Sequence, residues 1–394
     1  MRKTVTDNTS GATATGGANG QRIIGLDLFR ISLALLIFLF HSHIHVLRCD
    51  YGWLNGFVDM GAIAMTGFFL LSGYALNLAY GKKKLADGWE MKLFYAKRLI
   101  AILPLYYAWA AVNVAVNIME NGTAAAIQEL MLFPVETLGI QSVYSSLFEF
   151  SHNGGSWFIS CILFCYFLYP LFNTQTRLMT NRQKTAIIII FAAILLWSPF
   201  VQHFFKLQTI YSNPFFRILE FSIGMLVSQI NTDNGADCQL RRLLRSRFAC
   251  AASVTCLVVG VSVAYYIGMP YDYMLFNWVA LPCFVSLLFS LGSIRFARLQ
   301  KSRTVRYLSA LAFSIFLSQL LVVWDIVKFV LENTGNYTNT AKISLSAAIC
   351  FAIANIFHFC IEKPSTKYLK HRLLRHSTPL KPQASQNHIR RKNR

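Results

Sequence analysis

The chain is expected to be an all-α, polytopic membrane protein of about ten transmembrane helices, with both termini cytoplasmic. Three observations lead there. Hydrophobic residues make up 55% of the 394 residues, yet the formal net charge is +20. The apolar residues come in runs of about 20, the length at which a helix crosses a hydrocarbon core. The basic residues fall between those runs, on alternate sides.

The runs lie at 23–46, 54–80, 98–118, 156–173, 185–205, 214–231, 248–267, 274–293, 307–330 and 341–362. Ahead of them, residues 1–21 are polar and Gly/Thr-rich with no apolar h-region, the composition of a disordered tail and not of a cleaved signal. The second run is long, and Gly56, Gly61, Gly67 and Gly73 imply a bend or close helix contacts within it. Residues 124–150 are patchily apolar and carry Glu129, Glu136 and Glu149, which fits a re-entrant or surface helix. The membrane domain is taken as 22–366, followed by a basic cytoplasmic tail, 367–394.

Loop charge fixes the orientation. With the N-terminus inside, the cytoplasmic segments hold 31 of the 37 Lys and Arg. The outer segments hold only Arg48, Lys206, Lys328 and Lys342, while Arg30 and Arg217 lie within spans. An invented or missed span would scramble that alternation. The segment 119–155 has no Lys or Arg but four Glu, the largest acidic outer stretch. Nucleic-acid binding, the other common reading of a sequence pI near 9.7, is excluded because the cations sit in short clusters between apolar runs. The nine cysteines fall mostly inside apolar runs without CxxC spacing and read as small core hydrophobes.

A charge inside a span costs about 2.5–3.5 kcal/mol even on lenient insertion scales, so such residues are functional candidates by default. Arg30 and His41 in the first run are the foremost. Eleven residues at about 100° each bring His41 to within about 20° of Arg30, about 16 Å along the axis. Asp27 lies three residues before Arg30 and can pair with it. The plainer alternative is a structural ion pair and a histidine near the outer interface. His41 and His45 share a helix face, but His43 points away, so three metal ligands on one helix are ruled out and no metal is expected. Further candidates are Ser72 and Tyr74 in the second run, Lys97 and Arg98 at an inner boundary, and Trp157 at the outer start of the fourth. Arg217 and Glu220 are three apart, and His358 and Glu362 four apart. Each of these alone is an ordinary structural residue.

Taken in order, these residues resemble the acyltransferase-3 family of membrane-bound acyltransferases. Arg30-x10-His41 resembles its arginine–histidine signature, and Phe68-Phe-Leu-Leu-Ser72-Gly-Tyr74 its second-helix motif. Phe94-Tyr-Ala-Lys97-Arg98 with Pro104, and Ser156-Trp157-Phe-Ile with Tyr169-Pro170, resemble its third and fourth. Arg217-Ile-Leu-Glu220-Phe-Ser-Ile-Gly224-Met225 and Ile361-Glu362-Lys363-Pro364 resemble later landmarks. The chain departs from the pattern at Ala101, where a second arginine is frequent, at Ile162, where many members carry Glu, and at Gln319, where His is common. It is closest to the stand-alone form without an extracytoplasmic hydrolase-like domain.

The resemblance implies transfer of an acyl group, usually acetyl from acetyl-CoA, to a hydroxyl of a cell-surface carbohydrate, with no bound cofactor and with the acyl-CoA as co-substrate. It implies His41 and Arg30 as catalytic residues, and Arg98, Lys97, Ser72, Tyr74, Trp157, Arg217 and Glu220 at the substrates, with Asp27 and Glu362 in support. The expected setting is the cell inner membrane. A transporter or flippase of a lipid-linked saccharide is the alternative from another class, along with a succinyl donor or a lipid acceptor; no internal repeat of the transporter kind is present. The oligomeric state is not legible.

Overall fold

The first helix, α1 (Ile24–Ile44), is a Leu/Ile/Phe run that ends where His45 turns extended and its N–H bonds to the His41 carbonyl. In this computed structural model the described residues are 22–45, 47–83, 85, 88–144, 147, 156–206, 209–233, 239–268, 275–319 and 322–375. The tail expected at 1–21, Glu149, residues 154–155 and the chain after 375 lie outside them.

The run 54–80 is not one helix. It divides into 3₁₀ turns at Gly52–Leu54 and Gly61–Ile63, a short α2 (Asn55–Asp59) and α3 (Ala64–Tyr80). The break at Met60–Gly61 sits where the chain presses on α1: a Cβ on Gly61 would meet the Phe40 Cβ at 2.6 Å. Just before α2, the Asp50 carboxylate accepts from Asn55 Nδ2 (2.6 Å) and Gly52 N (2.9 Å). Those donors, Asn55 first, hold its pKa below the ordinary value.

The next helix, α4 (Gly88–Thr137), is a hairpin. Gly122 has φ 66° and ψ −145°, a conformation open to glycine, and reverses the chain there. Asn117 Nδ2 donates to Glu129 Oε1 (2.6 Å), and Tyr106 and Tyr107 donate to the carbonyls of Glu136 and Thr137 (3.0 and 2.7 Å). The arm 123–137 therefore returns beside the first, with Glu129 and Glu136 buried and Ile127, Leu130, Met131 and Phe133 exposed. Its outward face is apolar, as contact with lipid requires.

Helices α5 (Ser156–Thr176), α6 (Asn181–Phe205), α7 (Pro214–Thr232), α8 (Gln239–Leu244), α9 (Arg247–Tyr266), α10 (Asn277–Leu291) and α11 (Arg303–Ser318) follow. Hydroxyl and amide N-caps start five of the long helices, with Thr180, Asn213, Ser246, Ser302 and, further on, Thr338 each accepting from a first-turn N–H. α12 (Val322–Thr334) turns 77° from α11, so 307–330 is a bent pair of helices and not a single helix. α13 (Asn339–Phe357) runs through a π-turn (His358–Glu362) into α14 (Lys363–Arg375), which passes the expected boundary at 366 without a break.

Among the described residues, seven helices are long and apolar enough to cross a membrane, or eight with the α11–α12 pair. The other two expected spans are α7, whose polar residues include Arg217 and Glu220, and α10, only 15 residues long. Both are largely buried inside the bundle, where neighbouring helices replace lipid. The molecule is an all-α, multi-pass membrane protein.

Lipid is as apolar as leucine, so close packing and interhelical hydrogen bonds hold such a bundle. The tightest contact joins α3 to α7. A Cβ on Gly73 would lie 1.9 Å from the Phe221 carbonyl, and one on Gly224 the same distance from that of Leu70. Backbone, which cannot rotate aside, meets backbone here. Gly73→Val and Gly224→Val are each expected to cost about 1–3 kcal/mol or more, read as a lowered thermal midpoint of the detergent-solubilised protein.

Candidate functional site

Helices α1 and α11 run side by side in the same direction. Ser309 of α11 meets the level of Arg30, and Gln319 meets that of His41. The Arg30–His41 stripe thus faces a matching stripe, and a site forms at each end.

At the inner end Asp27 is fully buried and shared. Its carboxylate accepts from Ser309 Oγ (2.7 Å), pairs with Arg22 (2.5 Å) and lies 3.4 Å from Arg30 Nη1. Arg30 Nη1 also donates to Ser309 Oγ (3.0 Å). Ahead of Arg30 a cavity of about 120 Å³ opens between α1, α3, α4, α5 and α11. Arg98 lines it too, with Cζ 5.3 Å from the Tyr80 ring centre and 6.0 Å from that of Tyr166, and Nη2 within 3.4 Å of the Tyr80 hydroxyl. No carboxylate is among the lining residues. Arg98 has no carboxylate partner among the described residues, and Asp27 is split between two arginines. The inner end therefore carries excess positive charge in a region of low dielectric, which favours an anion.

The rest of the lining mixes small residues with aromatic and aliphatic ones. Ser72, Ala75, Ala79, Ala101, Ser309 and Ala312 leave room beside the guanidinium groups. Two of the three departures from the family pattern, Ala101 and Ile162, lie on this lining.

At the outer end His41 sits 5.4 Å from the His45 ring, and His45 stacks on Trp324 of α12 (5.8 Å). Trp324 Nε1 donates to the Gln319 carbonyl. The Gln319 side chain, fully buried, faces His41, and its amide atoms and His41 Nδ1 have no hydrogen-bond partner among the described residues. The third departure therefore also lies at the site. His43 is turned away: Nδ1 bonds to the Cys49 carbonyl (2.7 Å), and Nε2 lies 4.0 Å from Asp59.

The remaining sequence candidates separate from the cavity. Arg217 and Glu220 are fully buried between α3, α5, α7 and α10. Arg217 Nη1 donates to both Glu220 oxygens (2.8 Å each) and Nε to the Tyr211 carbonyl (2.6 Å). The rings of Tyr211, Trp157 and Phe69 lie 4.6, 5.3 and 5.4 Å from its Cζ, and Thr66 donates to Glu220 (2.8 Å). Trp157 is thus a buried wall of this ion pair and not an interface anchor. The Tyr74 hydroxyl accepts from Asn231 (2.8 Å), away from the cavity. Lys97 is partly buried beside Arg98 and does not line it. Glu362 accepts from Ser314 (2.8 Å) and pairs with His358 (2.7 Å) behind α11.

Sequence reasoning missed Tyr166 and the aromatic lining. The signal was present as helical spacing: Phe158, Ile162 and Tyr166 are four apart, and Ser309, Ala312, Phe313 and Phe316 follow the i, i+3, i+4, i+7 pattern.

A helical membrane bundle thus encloses a cavity lined by two guanidinium groups, with a histidine further along the same face of α1. A family model described as an acyltransferase domain, that of the acyltransferase-3 family, matches residues 23–375. The chain belongs to that family and is a membrane acyltransferase. No curated protein and no solved structure matches it.

The two arginine sites differ in what a variant should do. Glu220→Ala leaves a buried guanidinium uncompensated and is expected to cost about 3–5 kcal/mol, lowering expression and thermal midpoint. Arg98→Ala is expected to leave the midpoint within about 1 kcal/mol of the parent, measured in the same thermal series.

Proposed function

We propose that the protein transfers an acetyl group from cytoplasmic acetyl-CoA to a hydroxyl of a carbohydrate presented at the outer face of the cell inner membrane. The observation that carries this reading is the cavity in which Arg30 and Arg98 meet without a carboxylate between them. Acetyl-CoA is a polyanion with a slender pantetheine arm. A site with excess positive charge, and with alanines and serines leaving room beside its guanidinium groups, fits that chemistry.

The two ends then divide the work. Arg98 and Arg30 hold the donor from the inner side, with Asp27 and Ser309 orienting Arg30. His41, about three helical turns outward, takes the proton of the acceptor hydroxyl as general base. The hydroxyl oxygen attacks the thioester carbonyl, a C–O bond forms, the C–S bond breaks, and the CoA thiolate takes up a proton. Gln319, with a donor and an acceptor beside His41, orients the acceptor hydroxyl. Lys97 adds positive charge at the inner mouth and attracts the donor. Because Arg217, Glu220, Trp157 and Tyr74 lie off the cavity, they act here by holding α3, α5, α7 and α10 in place.

Arg30→Ala, Arg98→Ala and His41→Ala are expected to insert normally and to lose at least about 10²-fold in transfer, the usual scale for a general base or a clamping charge. The check is ester formation on surface polysaccharide, followed by NMR, alongside label transfer from radioactive acetyl-CoA into membranes. Retained ester in His41→Ala cells removes the general-base assignment. Loss of the polymer itself, and not only of its ester, points to transport.

A further inference from the structure

The cavity stops short of His41. Its outward end is closed by three phenylalanines from three helices: Phe68 of α3, Phe158 of α5 and Phe316 of α11. The ring centres of Phe158 and Phe316 are 5.2 Å apart, those of Phe68 and Phe316 6.2 Å, and those of Phe68 and Phe158 6.4 Å. The three rings form a closed triangle in mutual contact, in the edge and tilted geometries that aromatic pairs favour. Phe158 and Phe316 are 8% and 5% exposed.

The position of this triangle follows from the helix register. Ser309 stands level with Arg30 and Gln319 with His41. Phe316 lies between them on α11, two turns outward of Ser309 and one turn inward of Gln319. Whatever the arginines hold at the inner end meets this triangle before it meets the histidine. On the inward side the lining mixes Ala75, Ala79, Ala101 and Ala312 with Leu76, Ile162 and Tyr166, and among the described residues no second cluster of three mutually touching rings closes across it.

We propose that Phe68, Phe158 and Phe316 form an aromatic partition that ends the donor cavity and sets the length of the acyl group the enzyme accepts. The inference rests on an acyl-CoA thioester occupying the cavity. With the CoA phosphates fixed at Arg98 and Arg30, each added methylene pushes the acyl end further into the triangle. A short acyl group fits beneath the rings, where the turning aside of one ring exposes its carbonyl to the hydroxyl at His41; a longer one must hold a ring off its two neighbours throughout. Phe316 is the ring chosen for the test, because it lies on the helix whose end carries Gln319 and so stands directly between the arginines and His41.

The test is a chain-length series on the purified full-length protein. Binding of acetyl-, butyryl-, hexanoyl- and octanoyl-CoA, and of free CoA, is measured by thermal stabilisation for the parent, Phe316→Ala and the milder Phe316→Leu. Transfer to membrane-bound acceptor is followed with the same thioesters. The parent is expected to prefer the shortest acyl group. Phe316→Ala is expected to raise the hexanoyl-to-acetyl ratio by about tenfold or more, the scale a pocket assigns to added methylenes, with Phe316→Leu between the two. Thioester binding with an unchanged order of chain lengths overturns the partition and leaves the donor reading standing. Failure of the parent and both variants to bind any CoA thioester overturns both. If Phe316→Ala fails to fold, Phe316→Leu with a parent-like order of chain lengths is the overturning result.

Discussion

One carboxylate ties the inner end of the site together. Asp27 has no solvent contact and serves three donors at once: Arg22 before α1, Arg30 within it and Ser309 across on α11. A single negative charge shared between two guanidiniums neutralises neither fully. That incompleteness keeps Arg30 oriented by protein contacts yet short of a counterion, and Arg98 across the cavity shares the deficit. The same contacts lock α11 beside α1 in parallel register, so Gln319 arrives beside His41. A shift of α11 by one residue would rotate its lining face about 100° away and dismantle both ends together.

The two ion pairs in the spans illustrate what sequence spacing does and does not reveal. Asp27–Arg30 and Arg217–Glu220 are both three residues apart, and from spacing alone they are equivalent. In the fold, Glu220 gives both oxygens to Arg217 and three aromatic rings close around the guanidinium, which consumes the charge. Asp27 is instead divided among partners from outside its own turn. The distinction depends on residues 22 and 309, which spacing within one helix does not display. Trp157 is a similar case, since an aromatic residue at a span end is an interface anchor by position and becomes a wall of a buried pair only through α7.

Membrane spans were legible because apolar length and loop charge are properties of the chain itself. The breaks were not. A run such as 54–80 or 307–330 keeps its apolar composition through a change of direction, so hydropathy counts it as one element. The break at Met60–Gly61 arises where α3 must clear Phe40 of α1, and the 77° turn before α12 lays that helix beside His45 and Trp324's partners. At Gly122 the residue type was a usable signal, since glycine amid a helical stretch permits the left-handed reversal found there. The Arg30–His41 stripe was fully legible, because helical periodicity alone puts both on one face. The cavity between them was not, as it is assembled from five helices.

The glycine contact between α3 and α7 has a mechanical consequence. Two helices whose backbones touch have no side-chain layer to deform, so they behave as one stiff post. α10 docks on the same side, with the Gly292 neighbourhood pinned by Tyr74 and Asn231. On the opposite wall α11 is held to α1 by polar side-chain contacts near its start and gives way to a sharp turn after its end. The α3 wall of the cavity is therefore a fixed reference, and the shape of the cavity is set by how α1, α4, α5 and α11 are placed against it.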